Sequence, residues 1–210
     1  MAAPPALVRR NGRLHVDLTA APGSYTISGE RFAGMLYDDA CIPPVWRLKP
    51  GDTLKVVLHN RLQEPTNLHF HGLHVSPRGH GDNVFVHIAP GESFHYRIPI
   101  PHDHDSGLYW FHAHAHGFVS EQIIAGLSGA IILEGITRRY PMLRGMKERV
   151  MLLKHIPHPR ADWEELVTLN GQLAPSIAIR PGETQFWRSG PCRSSWKKAA
   201  HRSRSTSSAR

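Results

Sequence analysis

Short runs in which apolar and polar residues alternate recur along the chain, at positions 14–18, 53–58, 67–75, 94–100, 108–115 and 130–133. Each is closed by a turn rich in proline or glycine. Alternation of period two places successive side chains on opposite faces of an extended strand, so each run predicts a strand. Nothing of comparable length carries the period of an amphipathic helix. The exception is one turn around residues 120–124, where Ser120 offers an N-cap and Glu121 an acidic first turn. Many short strands separated by turn signals predict an all-β fold, a sandwich or barrel.

A repeated element gives the domain plan. Lys49-Pro50-Gly51-Asp52-Thr53 precedes the apolar-alternating segment 54–58, and Arg180-Pro181-Gly182-Glu183-Thr184 precedes Gln185-Phe186-Trp187-Arg188. Proline pre-sets the first central position of a tight turn and glycine supplies the positive φ of the second. Pro90-Gly91-Glu92-Ser93 is a third such turn, so position ahead of an equivalent strand carries the repeat. The plan read from it is a complete first domain over 1–137, a charged connection and the start of a similar second domain over 138–188, and a tail over 189–210.

Composition narrows the classes. With 210 residues, of which 40% are hydrophobic, the chain can bury a core, and 18 glycines and 17 prolines make it loop-rich rather than low-complexity. Two cysteines, Cys41 and Cys192, exclude a disulfide-dense scaffold and any all-cysteine metal or iron–sulfur site. No apolar run is long enough for a membrane-spanning helix. Arg9, Arg10 and Arg13 interrupt the N-terminus where a secretory signal would need an apolar segment. The net charge of +8 invites a nucleic-acid reading, but six basic residues and no acidic ones fall in the serine-rich tail, and aromatic residues to stack on bases are lacking there beyond Trp196. A nucleic-acid partner is not expected, and the tail reads as disordered.

The sixteen histidines are the feature that calls for chemistry. In Leu68-His69-Phe70-His71-Gly72-Leu73-His74 a pleated strand sets His69 and His71 on one face and Leu68 and Phe70 on the other. In Tyr109-Trp110-Phe111-His112-Ala113-His114-Ala115-His116 the same rule aligns His112, His114 and His116 opposite an apolar face. Imidazoles brought together repel when protonated, so such a cluster is stable chiefly when its rings are neutral and share a metal. A histidine-only set suits copper, zinc, iron or nickel. His102-Asp103-His104-Asp105, between Pro101 and Ser106-Gly107, reads as a solvated loop rather than a further ligand source. Trp110 and Phe111 read as packing that stiffens the ligand strand.

These two His-x-His runs resemble those of the N-terminal cupredoxin domain of multicopper oxidases, the group of laccases, bilirubin oxidases and copper-efflux oxidases. Thr66-Asn67-Leu68-His69-Phe70-His71-Gly72 and Gly107-Leu108-Tyr109-Trp110-Phe111-His112-Ala113-His114 carry it. Leu48-Lys49-Pro50-Gly51-Asp52, Ala89-Pro90-Gly91-Glu92, Gln122 and the segment 126–132 support it, and segments 167–172 and 179–188 resemble the opening of that family's second cupredoxin domain. The resemblance implies a cupredoxin-like Greek-key β-sandwich with an incomplete second cupredoxin domain. It implies that His69 binds a type-2 copper and that His71, His112 and His114 bind a type-3 pair, with His71 and His112 on one ion and His114 on the other. His74 and His116 are expected to stand behind the ligands or at the surface. The partners implied are dioxygen and an electron donor whose identity the sequence does not give.

The sequence also departs from the family. The type-1 copper of these oxidases needs a cysteine beside histidine, and neither Ala40-Cys41-Ile42 nor Pro191-Cys192-Arg193 provides one. Half of the trinuclear ligand set is present, so this chain alone is expected not to turn over; a copper-binding domain without enzymatic activity is the alternative. The text changes character after Arg188, which reads as a frameshifted or otherwise aberrant end of a three-domain oxidase. Relatives are usually periplasmic or secreted, yet no signal segment is visible in the sequence.

Overall fold

In the computed structural model, residues 1–157 and 165–191 are described. The strands are β1 (Ala6–Val8), β2 (Arg13–Ile27), β3 (Glu30–Tyr37), β4 (Val45–Leu48), β5 (Thr53–Asn60), β6 (His69–His71), β7 (Ser93–Pro99), β8 (Gly107–His112), β9 (Ser128–Leu133), β10 (Lys147–Pro157), β11 (Glu165–Leu169) and β12 (Gln185–Pro191). Two short helices, α1 (Val119–Ala125) and α2 (Ile136–Arg139), flank β9. The all-β expectation is met.

Strand order is β3-β2-β5-β7 in one sheet and β1-β4-β9-β8-β6 in a second. The alternation read from the sequence explains why they stack. In β2, Leu14, Val16 and Leu18 are buried while Arg13, His15 and Asp17 are exposed, and Leu54, Val56, Leu58, Tyr96 and Ile98 continue that inner face across β5 and β7. From the other sheet, Trp46, Phe70, Phe111, Ile131 and Leu133 close the same core. Trp46 and Phe111 stack at 3.8 Å between ring centroids. Gly129, paired with Phe111 across β8 and β9, leaves the room this ring needs: a Cβ there would sit 2.3 Å from it.

The run in β9 differs from the rest because all six of its residues are buried. Ile131 and Leu133 face the sandwich core. Ala130 and Ile132 face outward against Val150 and Leu152 of β10, together with Val45. A third sheet, β11-β10-β12, therefore covers the outer face of the second at its β4 and β9 strands. Charged contacts reinforce the junction. Glu148 bridges Arg47 (2.6 Å) and Arg188 (2.6 Å), and the buried Lys154 ammonium donates to the carbonyls of Cys41 and Gly126, both at 2.7 Å.

The three Pro-Gly turns share one construction. Gly51, Gly91 and Gly182 all take positive φ. In each turn the acidic residue after glycine folds back: its carboxylate accepts from the amide that opens the turn, at 2.6 Å (Asp52 to Lys49), 3.0 Å (Glu92 to Ala89) and 2.9 Å (Glu183 to Arg180).

Three readings need correction. The run 67–75 forms a strand only over His69–His71, and the run 108–115 only over Gly107–His112. Ser120 lies inside α1 rather than capping it; Phe118 precedes the helix and makes no side-chain cap bond, although Glu121 does occupy the first turn. β12 extends through Pro191, three residues into the segment read as tail, because parallel pairing with β10 continues to Leu153. Cys192, Trp196 and the basic run beyond them lie outside the described residues.

Candidate metal centre

β6 and β8 pair antiparallel with His69 opposite His112, Phe70 opposite Phe111 and His71 opposite Trp110. Phe70 and Phe111 point into the core and are fully buried, so the pleat turns His69, His71 and His112 to the outer face. The third sheet covers that face elsewhere; here, at the β6 edge, it carries imidazoles. Ring centroids lie 5.4 Å apart for His69 and His71, 5.2 Å for His69 and His112, and 5.7 Å for His71 and His112. One ring nitrogen from each of the three falls within 4.8 Å of the others.

His114 joins them by another route. The strand that would align it with His112 ends there, because β9 begins at Ser128, the partner of His112, and only one further bond continues the register. That bond runs from the Ala113 amide to the Leu127 carbonyl, and past it the His114 amide donates to Asn67 Oδ1 at 2.8 Å. Its ring then sits 5.3 Å from that of His69 and 5.7 Å from that of His112. His116, expected to share the same strand face, lies beyond the strand and is exposed. His74 is also exposed, with its ring 5.3 Å from that of His104. His104 is the further correction: it is buried, not solvated. Its Nε2 accepts from the His74 amide at 3.0 Å and its Nδ1 pairs with the Asp105 carbonyl at 2.9 Å.

Hydrogen bonds set the protonation of the cluster. His112 Nδ1 donates to the Ala113 carbonyl at 2.9 Å, which leaves the lone pair on Nε2. That Nε2 is buried and has no hydrogen-bond partner. Burial pushes the basicity of His112 down to about 4; its bond to Ala113 opposes the shift, while the neighbouring histidines His69, His114 and His71 add to it. Burial and His69 also lower His71, against the pull of Asp82. Asp82 Oδ1 accepts from His69 Nδ1 at 3.0 Å and from the Phe70 amide at 2.9 Å, so the His69 lone pair likewise stays on Nε2. Imidazoles held close, with His112 and His71 lowered in basicity and a buried His112 acceptor nitrogen that nothing satisfies, form a donor set suited to a borderline metal ion such as copper or zinc.

Sequence reasoning brought the four histidines together and read Trp110 as packing beside them, but it assigned no role to Asp82 or Asn67. Asp82 reaches His69 from a loop in which Gly81 passes so close to Ser76 that a Cβ would lie 2.2 Å from its carbonyl oxygen. Asn67, fully buried, fastens three segments: besides accepting from the His114 amide it donates to the carbonyls of Val84 and Val86 at 3.0 and 2.9 Å. Trp110 packs its indole against His112 at 4.2 Å and His71 at 4.8 Å. Asn67 could have been suspected as an amide two residues before the first ligand; nothing in the sequence points from Asp82 to His69.

Residues 19–137 match the family profile described as multicopper oxidase. Among curated proteins, the chain is 30% identical over 146 residues to the multicopper oxidase mco of Staphylococcus haemolyticus, covering 69% of this chain and 32% of that one. It is 32% identical over 120 residues to copper resistance protein A of Pseudomonas syringae pv. tomato, covering 56% and 19%. Among solved structures, the multicopper oxidase of Campylobacter jejuni, titled a metallo-oxidase, superposes with a TM-score of 0.68 at 25% identity, covering 83% of this chain and 40% of that one. The chain thus spans about a third of the length of the Staphylococcus relative.

Proposed function

Since the chain belongs to the multicopper oxidase family, we propose that it forms the copper-binding N-terminal portion of such an oxidase, with His69 on a type-2 copper and His71, His112 and His114 on a type-3 pair. The buried, unpartnered Nε2 of His112 amid the other rings is the observation that carries this reading. Copper held there would supply the reduction of dioxygen to water, with electrons that the family's type-1 copper collects one at a time from the reducing substrate.

The protein's own residues prepare the site. Burial keeps His112 neutral, so its lone pair is available without competition from protons. Asp82 orients His69 and fixes its proton on Nδ1. Ala113 does the same for His112 through a backbone carbonyl. Trp110, stacked on the His112 ring and tilted against that of His71, restricts their rotation.

The chain supplies half of the family's trinuclear ligands and no cysteine beside a histidine for a type-1 copper. By this reading it loads copper partially and does not turn over alone. Copper stoichiometry of the purified chain, measured with oxygen consumption in the presence of a phenolic donor, tests both parts. Copper uptake that is lost in His112→Ala, without sustained oxygen consumption, is the expected result. Sustained oxygen reduction by the chain alone overturns the claim of dependence on further domains, and equal uptake by His112→Ala overturns the ligand assignment.

A further inference from the structure

We propose that Asn67 is the positioning residue for His114, fastening the fourth imidazole where strand pairing no longer can; this rests on the proposed reading of the four histidines as ligands. The pleat delivers His69, His71 and His112, but His114 lies beyond the end of β8, past the last residue of its registers with both β6 and β9 among the described residues. Its backbone is held by the Asn67 Oδ1 bond of 2.8 Å.

That bond is directional because Asn67 has no freedom to turn. Its amide nitrogen is committed to two carbonyls, Val84 and Val86, so the oxygen of the planar group has only one direction left, toward the His114 amide. The same residue therefore links three places: the start of the His69 strand, the His114 backbone, and the segment following Asp82, which holds His69. Next to it, Thr66 donates to Gln122 of α1 at 2.9 Å, and the Gln122 amide donates to the Pro65 carbonyl at 2.8 Å. The neighbouring pair supplies a control that is equally buried and equally polar but bonds to Pro65 and to itself rather than to a histidine.

The test combines hydrogen exchange on the metal-free chain with copper titration of Asn67→Ala, His114→Ala, the double variant and Thr66→Val. In the wild type the His114 amide exchanges slowly although it lies outside any strand; in Asn67→Ala it exchanges quickly. Copper binds Asn67→Ala about 10- to 100-fold more weakly, and the double variant is no weaker than His114→Ala, because the two changes remove the same ligand. Thr66→Val melts at a lower temperature yet keeps wild-type copper affinity. Electron paramagnetic resonance of the copper-loaded chain shows one fewer nitrogen donor in Asn67→Ala than in wild type. Rapid exchange of the His114 amide in the wild type overturns the inference without any variant. Losses that add in the double variant, or a Thr66→Val affinity that falls with its melting temperature, overturn it too. A wild-type chain that takes up no copper instead overturns the ligand reading on which this one depends.

Discussion

The energetics of the centre are decided by single side chains whose charge the fold forbids. His112 has an ordinary imidazole in the unfolded chain but is pushed down to about 4 in the folded one, chiefly by burial. A base whose folded value is depressed takes up its proton preferentially on unfolding, so its contribution to stability is complete above the unfolded value and is lost as pH falls toward the folded one. The metal-free chain should therefore weaken between about pH 6.5 and pH 4, by on the order of 3 kcal/mol from this group. Urea unfolding at a series of pH values checks this: His112→Gln should flatten the slope in that window, and a slope identical to wild type would show that another group carries it. A second residue-scale expectation concerns Gly129. A Cβ 2.3 Å from the Phe111 ring, itself stacked on Trp46, has nowhere to go, so Gly129→Ala should cost about 1–3 kcal/mol by overpacking. Thermal unfolding of the variant would read this directly, and an unchanged melting temperature would mean that the ring can shift.

At the scale of elements, legibility follows from how local each determinant is. In the four-stranded sheet β5, β7 and the first part of β2 were readable because only one of their faces is buried, which makes polar and apolar residues alternate; β3, whose burial does not alternate along its length, was not read as a strand. Which strand would neighbour which was not readable: β4 pairs with β9, far away in sequence, and nothing in Val45–Leu48 announces it. His69, His71 and His112 were readable because the pleat fixes their direction. His114 was named correctly as a companion for the wrong reason, since a buried amide rather than a strand holds it. Asp82 and the buried His104 were missed because loops place them, and a loop's path depends on contacts made elsewhere. The Pro-Gly turns carry an element-scale expectation. Gly51 has a φ of +88° and a Cβ there would lie 2.6 Å from the His102 ring. Gly51→Ala should destabilise the chain more than Gly91→Ala, whose φ of +83° is similar but whose surroundings are open. Paired chemical denaturation of the two variants separates strain of the backbone from the clash.

At the scale of the whole molecule, the junction between the sandwich and the third sheet combines an apolar seam with charges that are not free to separate. Glu148 receives Arg47 and Arg188, whose hydrogen bonds and charges together outweigh burial and hold its carboxyl below the usual range. The stability it confers is thus present above the ordinary carboxylate value and is lost as pH falls below it. Glu148→Gln should leave two guanidinium groups facing each other across the seam and cost about 1.5–3 kcal/mol. Proteolysis near the connecting segment 140–146, faster in the variant at neutral pH, would show that the loss is felt at the junction. Unchanged cleavage would place the seam's strength in Val150, Leu152 and their apolar neighbours alone.

β6 is three residues long and forms the outer margin of its sheet, with no strand among the described residues on its far side. A long, flat, apolar margin would invite other chains to add themselves to the sheet and build fibrils. This one is brief and carries a polar imidazole at each end, with its one apolar residue, Phe70, turned inward. The strand that presents the metal ligands is thereby a poor template for self-assembly, and the chain can leave that edge open to other molecules without exposing itself to aggregation there.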